Sequence, residues 1–235
     1  MPRQAPPVDA EPARGEHTHG ERPLPRPVVQ RASVRGQILD ALRTALVSGD
    51  LRPGEVYSAP ALGERFGVSA TPVREAMQQL TLEGAVEVVP NRGFRVVERG
   101  ARELSELAEI RALIEVPVML RLARTVPAER WARLRPLAEE TVRAASSGCR
   151  ATYAEADRAF HRAVLELAGN DQLVHVAEDL HRRAQWPLVG GSHRPPRAGL
   201  VADATEHTAL LDALTTGARD KAETLIRAHF TTPPD

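Results

Sequence analysis

The apolar and polar positions between residues 67 and 97 predict a helix followed by a small hairpin. Thr71 can cap this helix, Pro72 suits its first turn, and Gly84 suits its end. Two short alternating runs follow on either side of residues 90–93, which predicts a β-hairpin with an arginine at its tip. The apolar positions recur at steps of three and four residues, as on one buried helix face, and they are Val73, Ala76, Met77 and Leu80.

Upstream of this helix the same kind of pattern predicts two further helices. Apolar residues recur every four positions from Val34 to Leu46, and Ser48-Gly49 ends that segment. A second, short helix is predicted from Ala59 to Phe66. Together with the hairpin, these elements predict a winged helix-turn-helix, a module that presents its second helix to the DNA major groove.

Downstream of residue 103 the strand pattern does not return, and six helical segments with short connections are predicted. Short connections favour antiparallel neighbours in a bundle. The predicted fold is therefore mainly α, with an N-terminal winged helix-turn-helix followed by an all-α antiparallel bundle of about six helices. The six segments are 103–123, one that opens at Pro127, 151–168, 172–186, 201–216 and 218–230, with 187–199 as a loop.

These elements divide the chain into four parts. Residues 1–30 are rich in proline and poor in large apolar side chains, which predicts a disordered tail. Residues 31–98 are the predicted winged helix-turn-helix, 99–102 the linker, and 103–231 the all-α domain.

The composition gives no sign of nucleic-acid binding, but it does indicate the cellular compartment. Lys+Arg and Asp+Glu are both 31, so a DNA-binding face has to come from the arrangement of charges. The single cysteine, Cys149, excludes an internal disulfide and fits a reducing cytoplasm. No apolar run approaches the roughly 20 residues that span a bilayer, and the N-terminus lacks a signal-peptide core. We therefore expect a cytoplasmic protein without membrane contact.

Polar residues on the inward faces of the bundle form a second candidate site. Asp157 and His161 are four residues apart and share a helix face, while His207 and His229 lie on apolar faces of the last two helices. Three imidazoles and one carboxylate suit a divalent transition metal such as zinc, nickel or manganese. The spacing equally fits hydrogen-bonded core histidines. Three other histidines show no such pattern and are predicted at the surface or in loops: His175, His181 and His193.

The collected motifs resemble the GntR family of bacterial transcription factors, in its FadR-like branch with an FCD-type C-terminal domain. The resemblance covers about residues 33–231. In the first half it is carried by Pro53-Gly54-Glu55, Phe66-Gly67-Val68-Ser69, Thr71-Pro72-Val73-Arg74-Glu75-Ala76 and Pro90-Asn91-Arg92-Gly93-Phe94. In the second half it is carried by Arg111 with Glu115, Asp157, Phe160-His161-Arg162, Ala168-Gly169-Asn170, His207 and His229.

The resemblance implies a homodimer on a short palindromic operator in double-stranded DNA, with a C-terminal domain for dimerisation and for binding a small organic acid. The position of Arg111 in such proteins faces the pocket and receives a carboxylate. Pairing of Arg111 with Glu115 on its own helix is the alternative. In the metal-binding members the ion is held at the positions that match Asp157, His161, His207 and His229.

For DNA contact, Arg74 is the best candidate for a base, because arginine can bridge guanine O6 and N7. A phosphate contact, or an ion pair on its own helix, is the alternative for Arg74. Ser69 and Thr71 are expected to donate to phosphates at the start of the helix. Arg92 and Gly93 are expected to place the wing along the minor groove or the backbone.

The predicted function is that of a DNA-binding transcriptional repressor. Its operator affinity is expected to depend on a small carboxylate bound at the metal site, and it is not expected to be an enzyme. Two alternatives stay open. One is a metal-dependent enzyme acting on a small carboxylate, since three histidines and a carboxylate can activate water on a metal. The other is a DNA-binding dimer without an effector, whose bundle serves only for dimerisation.

Overall fold

The computed structural model describes residues 34–186 and 197–231, and within them the mainly α fold is confirmed. The predicted tail at 1–30 and the part of the predicted loop at 187–196 lie outside the described residues. In chain order the elements are α1 (Val34–Ser48), β1 (Val56–Tyr57), α2 (Ala59–Phe66), α3 (Ala70–Leu82), β2 (Val86–Val89), β3 (Gly93–Val96), α4 (Ala101–Thr125), α5 (Ala128–Ala132), α6 (Arg135–Ser147), α7 (Arg150–Glu166), α8 (Asp171–Ala184), α9 (Arg197–Thr215) and α10 (Arg219–Thr231).

Helices α1 to α3 form the helix-turn-helix, and the turn between α2 and α3 is set by local chemistry. The Ser58 hydroxyl oxygen caps α2 by accepting from the Ala61 N–H at 3.3 Å. Gly67 ends α2 in the left-handed region at φ 69°. A Cβ at Gly63 would lie 2.7 Å from the Val68 carbonyl oxygen, so only glycine allows the turn to pack this closely. The turn therefore fixes how α3 leaves α2.

The second helix of this unit, α3, has the buried face that the sequence pattern predicts. It begins at Ala70 with Ser69 in the N-cap position, two residues before the predicted cap at Thr71. Ser69 and Thr71 are both good cap residues, so propensity alone does not choose between them. Gly84, at φ 70°, follows the helix end as predicted. The buried positions are all 0% exposed, and they are Val73, Ala76, Met77 and Leu80.

A three-stranded antiparallel sheet in the order β1-β3-β2 completes the winged helix-turn-helix. The predicted hairpin is confirmed, with Val86 opposite Val96 and Val89 opposite Gly93. The third strand, β1, pairs on the other side of β3 and was not predicted. A strand of two residues is too short to show an alternating pattern, and only its long-range pairing defines it.

The core of the winged helix-turn-helix includes residues from the second half of the chain. Leu42, Leu46 and Leu51 are at most 1% exposed at its centre. Ala154 from α7 and Trp186, just after α8, belong to the same cluster of buried side chains. The two halves are therefore joined through a common core at α7 and the end of α8.

Helix α4 runs for 25 residues and crosses a proline. Pro117 has no N–H, so one hydrogen bond of the helix is missing there, but the helix continues from Ala101 to Thr125 as predicted. Met119 and Leu122, just beyond the proline, are buried in the bundle. This packing holds both sides of Pro117 in one helix.

The remaining helices surround a second core, in which α10 packs on α4 and α9, and α6 packs on α7 and α9. Within the described residues the bundle has seven helices, because the helix predicted from Pro127 is divided into α5 and α6. The Leu134 N–H bonds the Trp131 carbonyl in a tight turn at 3.0 Å, and Pro136 stands in the first turn of α6. Across residues 34–186 and 197–231, every helix is too short or too polar to cross a membrane.

Candidate metal site and nucleic-acid interface

Three histidines from three different helices meet inside the bundle. His161 lies on α7, His207 on α9 and His229 on α10, and one ring nitrogen of each lies within 4.8 Å of the other two. His161 and His207 are buried, and His229 is partly buried. The Phe160 ring stacks on His207 with the ring centroids 4.4 Å apart. Packing of the three helices therefore brings together residues that are far apart in the sequence.

The fourth predicted ligand, Asp157, lies one helical turn before His161 and is also buried. Its Oδ1 is 3.6 Å from His161 Nε2 and 3.5 Å from His207 Nε2, which is at or beyond the limit of a hydrogen bond. Its Oδ2 accepts from His181 Nε2 at 2.7 Å and from Gln185 Nε2 at 3.1 Å. One carboxylate oxygen is thus held by donors while the other faces the histidines.

The hydrogen bond at Nδ1 of His207 determines which of the two ring nitrogens carries the proton. Thr141 Oγ1 donates its only proton to the Ala138 carbonyl at 2.7 Å, so it has to accept from His207 Nδ1 at 3.1 Å. In the neutral ring the lone pair is then on Nε2. Nε2 is buried and has no hydrogen-bond partner among the described residues. The buried lone pair on His207 Nε2 therefore faces the other three groups of the cluster, which are Asp157, His161 and His229.

His229 and His161 each have a carboxylate oxygen near Nδ1. His229 Nδ1 is 2.9 Å from Glu206 Oε2, and His161 Nδ1 is 3.5 Å from Glu115 Oε2. An ionised carboxylate only accepts hydrogen bonds, so His229 Nδ1 donates to Glu206 and, in the neutral ring, the lone pair is on Nε2. His161 Nδ1 forms no hydrogen bond with Glu115 Oε2, so that contact does not fix the position of the His161 proton. The Nε2 atoms of His161 and His229 are 3.1 Å apart. Two lone pairs so close together repel each other, so either a proton on His161 Nε2 or a cation is needed between them.

Burial and the neighbouring charges set the ionisation of this cluster. Burial lowers the pKa of His207 well below its ordinary value, and Asp157 opposes this only in part. Burial alone would raise the pKa of Asp157, but His181 first, and then His161 and His207, lower it well below its ordinary value. A neutral imidazole nitrogen and an ionised carboxylate are the forms that bind metals. The donor set and its supporting hydrogen bonds therefore fit a divalent transition ion.

Arg111 lies on α4, close to the same cluster. Its Nε donates to Glu115 Oε1 at 2.8 Å, and its guanidinium lies 5.5 Å from the centroid of the Phe230 ring. Burial would raise the pKa of Glu115, but Arg111 and then His161 outweigh burial and lower that pKa to about 2. The pair with Glu115, one of the two alternatives from the sequence, is therefore present. It uses only Nε and not the terminal amino groups of Arg111.

The predicted DNA-contacting residues of α3 lie on its exposed first turns. Ser69, Thr71 and Arg74 are all exposed. The Ser69 side chain makes no capping hydrogen bond, which leaves its hydroxyl able to donate elsewhere. Within residues 34–186 and 197–231, the Arg74 guanidinium forms no hydrogen bond or ion pair. The ion pair on its own helix, considered as an alternative for Arg74, is therefore not found.

The wing places Arg92 and Gly93 at the turn between β2 and β3. Arg92 is exposed at the tip. Gly93 has φ 129°, and a Cβ there would overlap the Tyr57 carbonyl oxygen of β1. Behind the tip, Arg95 is paired with Glu87 across the hairpin at 2.8 Å. Arg92 is therefore the wing side chain that is free to meet a partner, whereas Gly93 is required by the approach of β1.

We expect Gly93→Ala to lower the free energy of unfolding by about 1–3 kcal/mol, through the strained φ and the overlap with Tyr57. Urea unfolding followed by circular dichroism measures this. Gly100→Ala is the matched control, because a Cβ at Gly100 meets nothing within 4 Å. Equal stabilities for the two variants would show that β1 does not need this close approach.

Comparison with known protein families assigns both halves of the chain. Residues 34–96 match the model of bacterial regulatory proteins of the gntR family. Residues 106–232, more than half of the chain, match the FCD domain. The chain belongs to the GntR family of transcriptional regulators with an FCD domain.

This GntR protein matches known transcriptional regulators over most of their length. The HTH-type transcriptional regulator McbR of Escherichia coli (strain K12) is 29% identical over 180 residues, which are 76% of this chain and 79% of McbR. A probable D-xylose utilization operon transcriptional repressor of Paenarthrobacter nicotinovorans is 29% identical over 200 residues, covering 85% and 86%. The solved structure of E. coli McbR/YncC has a TM-score of 0.67 at 26% identity, covering 84% and 93%. This GntR protein is thus a DNA-binding transcriptional regulator and not an enzyme.

The prediction for His181 was wrong, because this residue is buried beside the candidate metal site of the GntR protein. It is buried on α8 and bonds Asp157, and burial, with the charge of Arg111, lowers its pKa to about 4. The signal was present in the sequence, since Val174, Ala177 and His181 follow at steps of three and four residues. His175 is exposed as predicted, and His193 lies outside the described residues.

Proposed function

We propose that this chain represses transcription as a homodimer, and that a small organic acid bound at a metal ion in the bundle controls its affinity for the operator. The convergence of three imidazole nitrogens carries the proposal, with Asp157 Oδ1 3.6 Å from His161 Nε2 and 3.5 Å from His207 Nε2. Buried polar atoms are normally paired. Here Nε2 of His207 is unpaired, and the Nε2 atoms of His161 and His229 lie 3.1 Å from each other.

The metal arm of the proposal uses side chains that other groups already orient. Thr141 and Glu206 hold Nδ1 of His207 and of His229, as outer partners do in metal sites. Glu115 Oε2 lies 3.5 Å from Nδ1 of His161. A bound zinc, nickel or manganese ion would supply a positive centre for a carboxylate or hydroxyl oxygen of the effector. The proposed ligands of the ion are Asp157, His161, His207 and His229.

Arg111 is the proposed second anchor of the effector. A guanidinium can bind a carboxylate through two parallel hydrogen bonds, and Arg111 uses only Nε for Glu115. The Arg111 side chain is 15% exposed and that of Glu115 is 1% exposed. An incoming carboxylate therefore reaches Arg111 from the open side and competes with Glu115 for it.

The DNA arm follows from the exposed side of α3. In a homodimer, the two α3 helices enter major grooves of a short palindromic operator. Arg74 contacts a base, Ser69 and Thr71 contact phosphates, and Arg92 and Gly93 lie along the minor groove or the backbone. Repression is supported by the P. nicotinovorans relative, which is named a repressor.

The proposed dimer contact is an exposed apolar face of α4. Ile110 is 43% exposed and Leu113 is 70% exposed, and Pro117 continues the same face one turn later. Large apolar side chains exposed together on one helix face mark a protein contact.

We expect Leu113→Glu to convert the dimer to a monomer, because two charged side chains would face each other across the contact. Sedimentation velocity at micromolar protein measures the change. Leu82→Glu carries the same change of charge at a residue that is 83% exposed at the end of α3, and it should stay dimeric. A Leu113→Glu dimer as stable as the parent would rule out this face.

Control of the operator requires that the effector bind the DNA-competent and the DNA-incompetent arrangements differently. A coupling free energy of about 1–3 kcal/mol changes operator affinity by about 5–150-fold. The competition between an effector carboxylate and Glu115 for Arg111 offers one such difference. A bound ion would supply a second difference, if Asp157 and the histidines hold it with unequal geometry in the DNA-competent and the DNA-incompetent arrangements.

The test measures operator affinity of the metal-loaded protein, on a duplex selected from random DNA, with a panel of small mono-, di- and tricarboxylic acids. At least one acid should lower the affinity by about 5-fold or more. Arg111→Lys should weaken that response, because lysine cannot form the two parallel bonds. Operator affinity that no acid and no metal changes would instead support a DNA-binding dimer without an effector.

A further inference from the structure

We infer that Gln185 is a positioning residue that ties the proposed metal ligand Asp157 to the joint between the bundle and the winged helix-turn-helix. A change at Asp157 then reaches the recognition helix α3 through the end of α8. The inference rests on the metal site in the proposed function.

The Gln185 amide is held at both ends by α7. Its Nε2 donates to Asp157 Oδ2 and to the Ala154 carbonyl, both at 3.1 Å. Its Oε1 accepts from Arg158 Nη1 at 2.7 Å. Gln185 is also the C-cap residue of α8. The end of α8 is therefore tied to Oδ2 of Asp157, the oxygen that also bonds His181 and that does not face the three proposed histidine ligands.

The next residue carries this position into the DNA-binding half. Trp186 is 5% exposed and belongs to the same cluster of buried side chains as the core of the winged helix-turn-helix. The Arg99 guanidinium lies over its ring, 4.9 Å from the centroid. A cation over a tryptophan face at this distance is attracted to it, and most strongly where water is excluded. Trp186 and Arg99 therefore form one contact unit, in which a displacement of the ring acts on the guanidinium.

Arg99 connects this unit to the end of α3. Its Nη2 donates to the Gly84 carbonyl at 2.7 Å, and Gly84 follows the C-cap residue of α3. Arg99 is 3% exposed and also pairs with Glu103 in the first turn of α4. One guanidinium thus touches the end of the recognition helix, the start of the bundle and the Trp186 ring.

The sequence of contacts from Asp157 to Gly84 has a physical consequence. Densely packed groups transmit displacements, because buried side chains have no free volume in which to absorb them. When a cation engages Oδ1 of Asp157, the carboxylate is reoriented, and the Gln185 amide on Oδ2 has to follow or break its bond. The end of α8 and Trp186 follow with it. Gln185 is the link at which this coupling can be cut without touching a proposed ligand or DNA-contacting residue.

The test uses Trp186 as a reporter. The chain has two tryptophans, so Trp131→Phe leaves Trp186 alone, and this full-length variant is the reference. Gln185→Met is added to it, because methionine has nearly the same length and cannot form the three hydrogen bonds. Gln172→Met, at an exposed glutamine in the first turn of α8, is the matched control. Each protein is titrated with zinc while Trp186 emission, zinc content and operator affinity are measured.

In the reference and in Gln172→Met, saturating zinc is expected to shift Trp186 emission and to change operator affinity by about 5-fold or more. In Gln185→Met, zinc still binds, with affinity weakened by up to about 100-fold through the loss of the outer partner of Asp157. At saturating zinc, its emission shift and its affinity change should both be lost.

A purely structural role for Gln185 would lower the melting temperature and leave the zinc-dependent changes intact, and that result overturns the inference. The same holds if Gln185→Met keeps the full emission shift at saturating zinc. A reference protein that takes up no zinc is a different failure, visible from elemental analysis alone. It removes the proposed metal site and the inference together.

Discussion

Replacing His161 and His229 together with alanine is expected to abolish stoichiometric metal binding. The two Nε2 atoms are 3.1 Å apart, and their removal takes away half of the four proposed ligands. Elemental analysis of untagged protein should find about one transition metal per chain in the parent and none in the variant, since a site with two ligands holds a metal poorly.

Thermal unfolding provides a second measurement of the same prediction. Metal at 100 times its Kd stabilises a native state by about 2.7 kcal/mol, which raises the Tm of a chain of this size by about 5–10 °C. The parent should show this rise after metal is added to the stripped protein, and the double variant should not. Circular dichroism shows whether the variant is folded.

His175→Ala is the control for loss of an imidazole, because His175 is exposed on α8 and away from the cluster. It should keep the full metal content and the full rise in Tm. A well-folded parent that holds no metal, and recovers none when metal is supplied, contradicts the proposed site. DNA binding by the GntR domain does not depend on that result, and control by an effector would then have to rest on Arg111.

Arg74→Ala is expected to weaken operator binding by about 5–150-fold, the range for loss of a bidentate contact to guanine. Arg74 is exposed near the start of α3 and makes no ion pair among the described residues, so its removal leaves the folded protein otherwise unchanged. Fluorescence anisotropy with the operator, and with duplexes carrying one altered base pair at a time, measures the loss. The variant should discriminate less at one base pair in each half-site.

Arg92→Ala distinguishes a base contact from a phosphate contact. A phosphate contact weakens binding uniformly across sequences and lowers the dependence of affinity on salt by about one ion. We expect this behaviour for Arg92 at the wing tip and not for Arg74. If Arg74→Ala weakens every duplex equally and lowers the salt dependence, Arg74 contacts a phosphate, and base recognition lies elsewhere on α3.

The sequence by itself determined the helices and the faces that they bury, because the helical period is a local property of the chain. The stripe of α3 and its exposed Arg74 were predicted from spacing alone, and so was the common face of Asp157 and His161. The hairpin of β2 and β3 was also predicted, since its turn residues are local. The motifs in order were sufficient for the GntR family.

Only the tertiary structure decided which polar groups meet. Thr141 and His207 are 66 residues apart, and His161 and His229 are 68 apart, and no local period contains such pairs. His181 was visible as an inward position but had no partner until α8 packed on α7. The two residues of β1, the break between α5 and α6, and the bonds of Gln185 likewise depend on distant neighbours. The physical reason is common to all of them: local patterns determine which face of an element is buried, and packing determines what that face contacts.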